Sequence, residues 1–296
     1  MRVLKVRLFL IVVISNFIFV NCGPVQFTRI NRNLGEQEKS GLSVTEATRA
    51  SSTIIDPPES APDTVRCSQD SVTVPVKVLF VVDTSGSNAL AYRGVGASCD
   101  GSLKCVPATD PEKKFRKGSI QEFFEKYKER SNISWGFEIF SRHDVRSYIG
   151  EKTNEIFGNA HDMEEALKDF ATEKDRGKTP YLKAMEGVQT AISDDPDLRS
   201  KAEYPPRYYV VFMSDGYPTD AKADQVKNAV DRLIALSPTQ ISLSTIYYGT
   251  QNDPEAASTL QNMARSGGGQ FVNFDTNSNE TIAIQDLIGL PTTSCL

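Results

Sequence analysis

The chain has few of the residues and motifs on which several common catalytic and metal sites depend. Among its 296 residues there are only two histidines, His143 and His161, which excludes a histidine-rich metal site. It contains no Gly-x-Ser-x-Gly turn, no His-Glu-x-x-His pair and no phosphate-binding loop, so it lacks the signatures of the enzymes that these motifs define. The net charge of −5 is mild, and we expect no nucleic acid partner.

An apolar run long enough to span a membrane is missing from the N-terminus. Such a helix needs about 20 residues, whereas the run over 8–20 is shorter and includes Ser15 and Asn16. It follows a basic segment that carries Arg2, Lys5 and Arg7. A basic segment followed by a short apolar one is typical of a secretory signal. We therefore expect residues 1–21 to be a cleaved signal peptide on an exported protein.

The first cysteine, Cys22, follows directly on this apolar run. With the preceding Phe19, Val20 and Asn21 it resembles the lipobox of bacterial lipoproteins, whose cysteine is lipidated and becomes the first mature residue. The sequence departs from that pattern at Phe19 and Asn21, where the family prefers leucine and a small residue. We expect lipidation at Cys22, hence membrane attachment through a lipid anchor in the bacterial cell envelope. The alternative is an ordinary secretory signal and a secreted protein.

Cysteines are few and odd in number: Cys22, Cys67, Cys99, Cys105 and Cys295. An odd number in an exported chain leaves one over. If Cys22 carries lipid, the other four can form two disulfides in an oxidising compartment, with three connectivities open. We expect Cys99 to pair with Cys105 inside a short Gly/Ser-rich stretch, and Cys67 to pair with Cys295. Free or differently paired thiols are the alternative.

Residues 22–65 show no sustained apolar periodicity. They are rich in Ser, Thr, Glu, Asn and Pro, and they end in a proline-rich stretch over 56–62. This composition is typical of a disordered segment. About 40 such residues have an end-to-end distance of roughly 35 Å. We predict a tether that holds a folded domain, residues 66–296, off a membrane surface.

From residue 74 onward, apolar runs alternate with amphipathic segments. Strands are predicted at 76–82, 134–140, 145–149, 208–213, 241–248 and 270–274, and helices at 120–127, 162–170, 180–193, 221–236, 254–265 and 280–288. The alternation predicts an α/β fold with a doubly wound, mostly parallel central sheet and helices on both faces. Such sheets bind ligands at the carboxyl ends of their strands, so the residues after 82 and after 213 are the first candidates.

A group of oxygen-bearing side chains follows the first predicted strand. Asp83, Ser85 and Ser87 form an Asp-x-Ser-x-Ser run, which places one carboxylate and two hydroxyls on a tight turn. These donors suit Mg²⁺, Mn²⁺ or Ca²⁺, although the same residues would also serve as a helix cap. Two further segments favour the metal, because Thr179 precedes a predicted helix and Asp215 follows a predicted strand.

Together these segments resemble the metal-ion-dependent adhesion site of the von Willebrand factor type A, or integrin I-like, domain. That family joins an Asp-x-Ser-x-Ser turn, a threonine before a helix and an aspartate after a strand, in the order found here, and the resemblance extends over residues 76–288. It implies that Ser85 and Ser87 give hydroxyl oxygens directly, and Thr179 directly or through water. Asp83 and Asp215 are then expected to act largely through water and by holding the hydroxyls.

The resemblance also implies a divalent cation, with Mg²⁺ expected and Mn²⁺ or Ca²⁺ as alternatives. Three neutral hydroxyls leave the ion with strong residual positive charge, and Mg²⁺ retains waters readily. An open coordination position can then accept a carboxylate. The expected partner is a protein that offers a Glu or Asp side chain, and we expect this chain by itself to be monomeric.

An insertion over residues 88–112 distinguishes the chain from many such domains, in which the first helix begins soon after the Asp-x-Ser-x-Ser turn. It is long for a connection in a compact domain, and such loops are often functional. Because it begins at the turn, we expect it on the ligand-binding face, where Tyr92, Arg93 and Leu103 would contact the partner. A Cys99–Cys105 bridge would stiffen it and lower the entropy cost of binding. A mere insertion without a role is the alternative.

These features predict a metal-dependent binding module without enzymatic activity, which serves in adhesion or in recognition within an envelope complex. Two alternatives stay open. One is a hydrolytic enzyme that uses the serines at the strand end; no histidine lies near them in the sequence, but triads assemble in space. The other is a structural protein whose metal only stabilises the fold.

Overall fold

A six-stranded sheet with the order β3-β2-β1-β4-β5-β6 lies at the centre of the fold. Its strands are β1 (Val76–Asp83), β2 (Ile133–Ser141), β3 (Asp144–Ser147), β4 (Arg207–Ser214), β5 (Ile241–Tyr247) and β6 (Gly268–Asn273). The edge strand β3 pairs antiparallel with β2, whereas β1, β2, β4, β5 and β6 pair in parallel. The chain winds outward from β1 in both directions, so the predicted doubly wound, mostly parallel sheet is confirmed.

The computed structural model describes residues 74–89, 107–142, 144–150, 155–249, 253–274, 276 and 280–290. The predicted signal peptide, the tether and all five cysteines lie outside these residues. The expected lipidation of Cys22 and the expected Cys67–Cys295 and Cys99–Cys105 pairs therefore stay predictions. The same holds for Tyr92, Arg93 and Leu103 of the insertion.

Helices cover both faces of the sheet. They are α1 (Lys114–Tyr127), α2 (Ala160–Thr172), α3 (Tyr181–Ser193), α4 (Ala223–Leu236) and α5 (Pro254–Ser266). Helices α1 and α2 pack in one hydrophobic cluster, and α3, α4 and α5 pack in the other. None of the helices in the described part of the chain is both long and apolar enough to cross a bilayer.

Strand β1 is buried along its whole length. Val78, Phe80 and Val82 face the cluster of α1 and α2, whereas Leu79 and Val81 face the cluster of α3, α4 and α5. Burial on both faces explains why this strand appears in the sequence as a continuous apolar run and not as an alternating one.

The first helix begins at Lys114, six residues before the start predicted at residue 120. Its first turn has no ordinary cap, because Lys113 is left-handed with a φ of 55°. Instead, the carboxylate of Asp110 accepts hydrogen bonds from the backbone amides of Phe115 and Arg116. A cap supplied from outside the helix satisfies the free amides of the first turn and extends the helix beyond its apolar periodicity.

The prediction of a last helix at residues 280–288 is wrong. The segment contains only a short 3-10 helix, Ile284–Asp286. Its backbone groups bond to other elements, because the amide of Ile282 donates to the hydroxyl of Ser119 and the carbonyl of Leu287 accepts from Ser244. Burial of Ile282, Ile284, Leu287 and Ile288 creates the apolar pattern that resembles a helix. Tertiary hydrogen bonds thus replace those within a helix.

Candidate metal-binding site

The two central strands bring the predicted acidic residues to one edge of the sheet. Strands β1 and β4 are parallel neighbours, with Val82 opposite Met213. Asp83 ends β1, and Asp215 follows directly on the end of β4. Because the carboxyl ends of parallel strands meet at one edge, the two carboxylates lie together at the point from which the chain winds in both directions.

A chain of hydrogen bonds joins four of the predicted residues. Within the metal turn, residues 83–87, the amide of Ser85 donates to Asp83 Oδ1 at 2.7 Å. The Ser85 and Ser87 hydroxyl oxygens are 3.0 Å apart, and the Ser87 hydroxyl donates to Asp215 Oδ1 at 2.9 Å. Two hydroxyls and two carboxylates are therefore gathered in one place.

The fifth predicted residue, Thr179, lies beside them on the threonine loop, residues 175–179. Its hydroxyl oxygen is 3.8 Å from the position that a Cβ on Gly216 would occupy, and Gly216 is the neighbour of Asp215. Its carbonyl accepts a hydrogen bond from the amide of Thr219 at 2.9 Å, and its amide donates to the hydroxyl of Thr219 at 3.1 Å. The loop also bonds to the metal turn, since the amide of Gly86 donates to the carbonyl of Gly177 at 3.0 Å.

Gly177 must be glycine for two reasons. Its φ of +84° is a conformation that other residues rarely adopt. A Cβ at this position would also lie 1.9 Å from Cγ of Arg142. The conformation of the threonine loop beside Arg142 therefore needs a residue without a side chain at this position.

Within the part of the chain that the structure describes, one oxygen at the centre of the site has no hydrogen-bond partner. Asp215 Oδ2 is buried and unpaired, whereas Oδ1 of the same side chain accepts from Ser87. A buried carboxylate oxygen without a partner is costly, and a bound cation would satisfy it. The described residues contain no group of three or more His, Cys, Asp or Glu side chains that could hold an ion. A cation here would therefore depend on the hydroxyls, and the mixed set of hydroxyl and carboxylate oxygens fits a hard divalent ion.

The electrostatics of the site also favour a cation. Burial raises the pKa of Asp83 to about 7, and the nearby charge of Asp215 acts in the same direction. Burial likewise raises the pKa of Asp215. Two buried carboxylates that face each other repel, and an ion of charge two would neutralise both.

Three residues that support the site were not singled out from the sequence. The hydroxyl of Ser214 donates to Asp83 Oδ2. The side chain of Asn88 donates to the carbonyl of Ser85 at 3.3 Å and accepts from the hydroxyl of Tyr248 at 3.1 Å. Ser214 stands at a strand end, which is a usable signal, but the bond from Tyr248 to Asn88 spans 160 residues and leaves no local pattern.

Both ends of the insertion are attached to the metal turn and its neighbour. The amide of Thr109 donates to the carbonyl of Ser87 at 3.0 Å, and the amide of Asp110 donates to the carbonyl of Asn88 at 3.1 Å. The insertion therefore leaves from and returns to the candidate metal site.

No family model matches the sequence, and neither does any curated protein. The chain is nevertheless similar in structure to several solved proteins. A von Willebrand factor type A protein from Catenulispora acidiphila has 12% identity and a TM-score of 0.47, over 69% of this chain and 40% of that one. The PilB minor pilin from Streptococcus sanguinis has 13% identity and a TM-score of 0.46, over 69% of this chain and 58% of that one.

A third solved structure, the manganese-loaded TRAP protein from Plasmodium vivax, has 15% identity and a TM-score of 0.44, over 64% of this chain and 63% of that one. The match thus spans less than two thirds of the length of each of these three chains. The solved structures to which this chain is similar include a von Willebrand factor type A protein, the family that its sequence motifs resemble.

Proposed function

We propose that this domain holds a divalent cation at the carboxyl edge of its sheet and uses the cation to bind a carboxylate of a protein partner. The observation that carries the proposal is the buried, unpaired Oδ2 of Asp215 beside the linked hydroxyls of Ser85 and Ser87. Protein interiors rarely leave such an oxygen without a partner. A cation would satisfy it.

Each residue of the site has a distinct role in this proposal. Ser85, Ser87 and Thr179 offer hydroxyl oxygens to the ion. Asp83 and Asp215 orient those hydroxyls and balance the charge, since Asp83 accepts from the Ser85 amide and Asp215 from the Ser87 hydroxyl. The bound ion supplies residual positive charge, which attracts a carboxylate from the partner.

Mg²⁺ is the proposed ion, because it prefers oxygen donors and keeps several waters when few protein oxygens are available. Mn²⁺ and Ca²⁺ accept the same donors and are the alternatives. The proposal assigns no catalytic step to the serines. Their hydroxyls are engaged with each other and with Asp215.

We place the domain on an exported protein that is attached to the bacterial cell envelope through lipid on Cys22. The support is the basic and apolar N-terminal segment, followed by a polar stretch up to residue 65. A long polar tether lets a binding domain reach a partner at a distance from the membrane.

Partner capture from an envelope extract tests this function. The full chain is incubated with the extract in Mg²⁺ and, separately, in chelator. We expect Mg²⁺-dependent capture by the wild type and its loss in Asp83→Ala combined with Thr179→Ala. Asp231→Asn, which removes an exposed carboxylate from α4, is the matched control and should behave as the wild type. Capture that persists in chelator, or in the double variant, would contradict the proposal.

A further inference from the structure

Arg116 on α1 is fully buried beside the candidate metal site. Its guanidinium donates five hydrogen bonds. Nε and Nη2 donate to the side chain and the carbonyl of Asp110, at 3.0 Å and 2.9 Å. Nη1 and Nη2 donate to the two carboxylate oxygens of Asp175, at 2.8 Å and 2.9 Å, and Nη1 also donates to the carbonyl of Asp83 at 2.8 Å. The donors of this side chain are therefore fully used.

These acceptors belong to two segments that carry proposed ligands and to the end of the insertion. Asp83 begins the metal turn, Asp175 begins the threonine loop, and Asp110 lies at the returning end of the insertion. The three segments are far apart in the sequence, and the planar guanidinium binds them at fixed relative positions, as lysine could not.

The charge around Arg116 is balanced within the cluster. Lys113 lies 3.7 Å from Asp175 and donates to the carbonyl of Glu173 at 2.7 Å. Two cationic side chains therefore meet two carboxylates, those of Asp110 and Asp175. A neutral, fully hydrogen-bonded cluster avoids the cost of an unpaired buried charge. It also adds little net charge beside the cation site.

We propose that Arg116 is a positioning residue, which fixes the metal turn, the threonine loop and the base of the insertion relative to one another. This inference rests on the proposed function, because the metal turn and the threonine loop carry proposed ligands of the cation. It adds that the returning end of the insertion, residues 107–112, is held to the metal turn through the same side chain.

The test uses Arg116→Lys, which keeps the positive charge but loses most of the hydrogen bonds. The control is Lys77→Met, which breaks another buried ion pair, with Asp195 at 2.6 Å, at the start of β1. Both variants lose a buried interaction, but only Arg116→Lys loosens the metal site. Each is studied as the full chain.

The first readout is amide hydrogen exchange in chelator, which needs no cation. Three amides report on the contacts between segments: Gly86, Thr109 and Arg176, which donate to Gly177, Ser87 and Thr84. In Arg116→Lys we expect these amides to exchange at least about tenfold faster than in the wild type, with a smaller change in the core amides of β5. In Lys77→Met the three amides should change no more than those of β5.

The second readout is the affinity for Mn²⁺ in a calorimetric titration. We expect about a tenfold loss in Arg116→Lys and wild-type affinity in Lys77→Met. Unchanged affinity in Arg116→Lys, or exchange at the three amides that rises no more than in β5, would overturn the positioning role. If the wild type binds no cation, the proposed function fails, and the exchange measurement alone then decides the role of Arg116.

Discussion

The hydroxyl of Ser87 donates a hydrogen bond of 2.9 Å to Asp215, although 128 residues separate them. This bond joins the ends of the two central strands, while the second oxygen of Asp215 is buried and has no partner among the described residues. In the proposed site this oxygen is a ligand for the cation, and the Ser87 hydroxyl is held in place beside it.

Asp215→Asn should weaken cation binding by about 100-fold, or roughly 3 kcal/mol. The substitution keeps the shape of the side chain but removes the charge that neutralises the ion, and it places an amide where an oxygen is unpaired. Titration with Mg²⁺ and Mn²⁺ measures the effect. Asp231→Asn on α4 is the control, because this carboxylate is exposed and pairs only with Lys227 among the described contacts. Equal affinity of Asp215→Asn and the wild type would argue against a metal site here.

Gly177→Ala should destabilise the domain by about 1–3 kcal/mol and weaken cation binding. The reason is the combination of a φ of +84° with a Cβ that would overlap Arg142. Gly268→Ala is the control for backbone strain without steric overlap, because Gly268 has a φ of +65° with open space around it. Denaturant unfolding in chelator should show the larger loss for Gly177→Ala, and only this variant should bind Mn²⁺ more weakly. A loss of cation binding in both variants would show that the close approach of the threonine loop is not its cause.

Glu138→Gln should stabilise the domain at neutral and alkaline pH. Burial raises the pKa of Glu138 to about 7 from an ordinary 4.5, and its Oε2 has no hydrogen-bond partner among the described residues. Below pH 4.5 the group is protonated in both the folded and unfolded states and adds no cost. As the pH rises towards 7, only the unfolded state releases the proton freely, so the wild type loses stability.

The gain of Glu138→Gln over the wild type should therefore grow between pH 4.5 and 7 and reach about 3 kcal/mol above pH 7. Urea unfolding at pH 4.5, 6 and 8 measures it. Glu186→Gln, an exposed position on α3, should show no such trend. A gain that is equal at all three pH values would mean that Glu138 does not titrate as described.

Replacing Tyr92, Arg93 and Leu103 together with alanine should reduce partner capture at least tenfold while cation affinity stays at the wild-type value. The returning end of the insertion bonds to Ser87 and Asn88 through Thr109 and Asp110, and we expect the three side chains to contact a partner bound at the ion. Surface plasmon resonance with the captured partner and a parallel Mn²⁺ titration measure the two effects separately. Undiminished capture would remove these three residues from the binding surface.

The sequence predicts the fold well, and it identifies the candidate metal turn, because the signals of both are local. A buried strand such as β1 is a continuous apolar run, and Asp83, Ser85 and Ser87 lie within five residues of one another. The bonds that arrange the site are not local. The guanidinium of Arg116 bonds to Asp175 across 59 residues, and Ser214 bonds to Asp83 across 131.

The wrong prediction at 280–288 has the same origin. Ile284, Leu287 and Ile288 have spacings that suit a helix, but they are buried while the backbone of the segment bonds to Ser119 and Ser244. A periodic apolar pattern reports burial, and it does not report which groups satisfy the backbone.

The most direct test of the cation site is an anomalous difference map from a crystal of the protein grown or soaked with Mn²⁺. We expect one strong peak within coordinating distance of the hydroxyl oxygens of Ser85 and Ser87, next to Asp215 Oδ2, and its disappearance in Ser85→Ala combined with Ser87→Ala. A map without a peak at the carboxyl ends of β1 and β4, or with a peak that survives in the double variant, would contradict it.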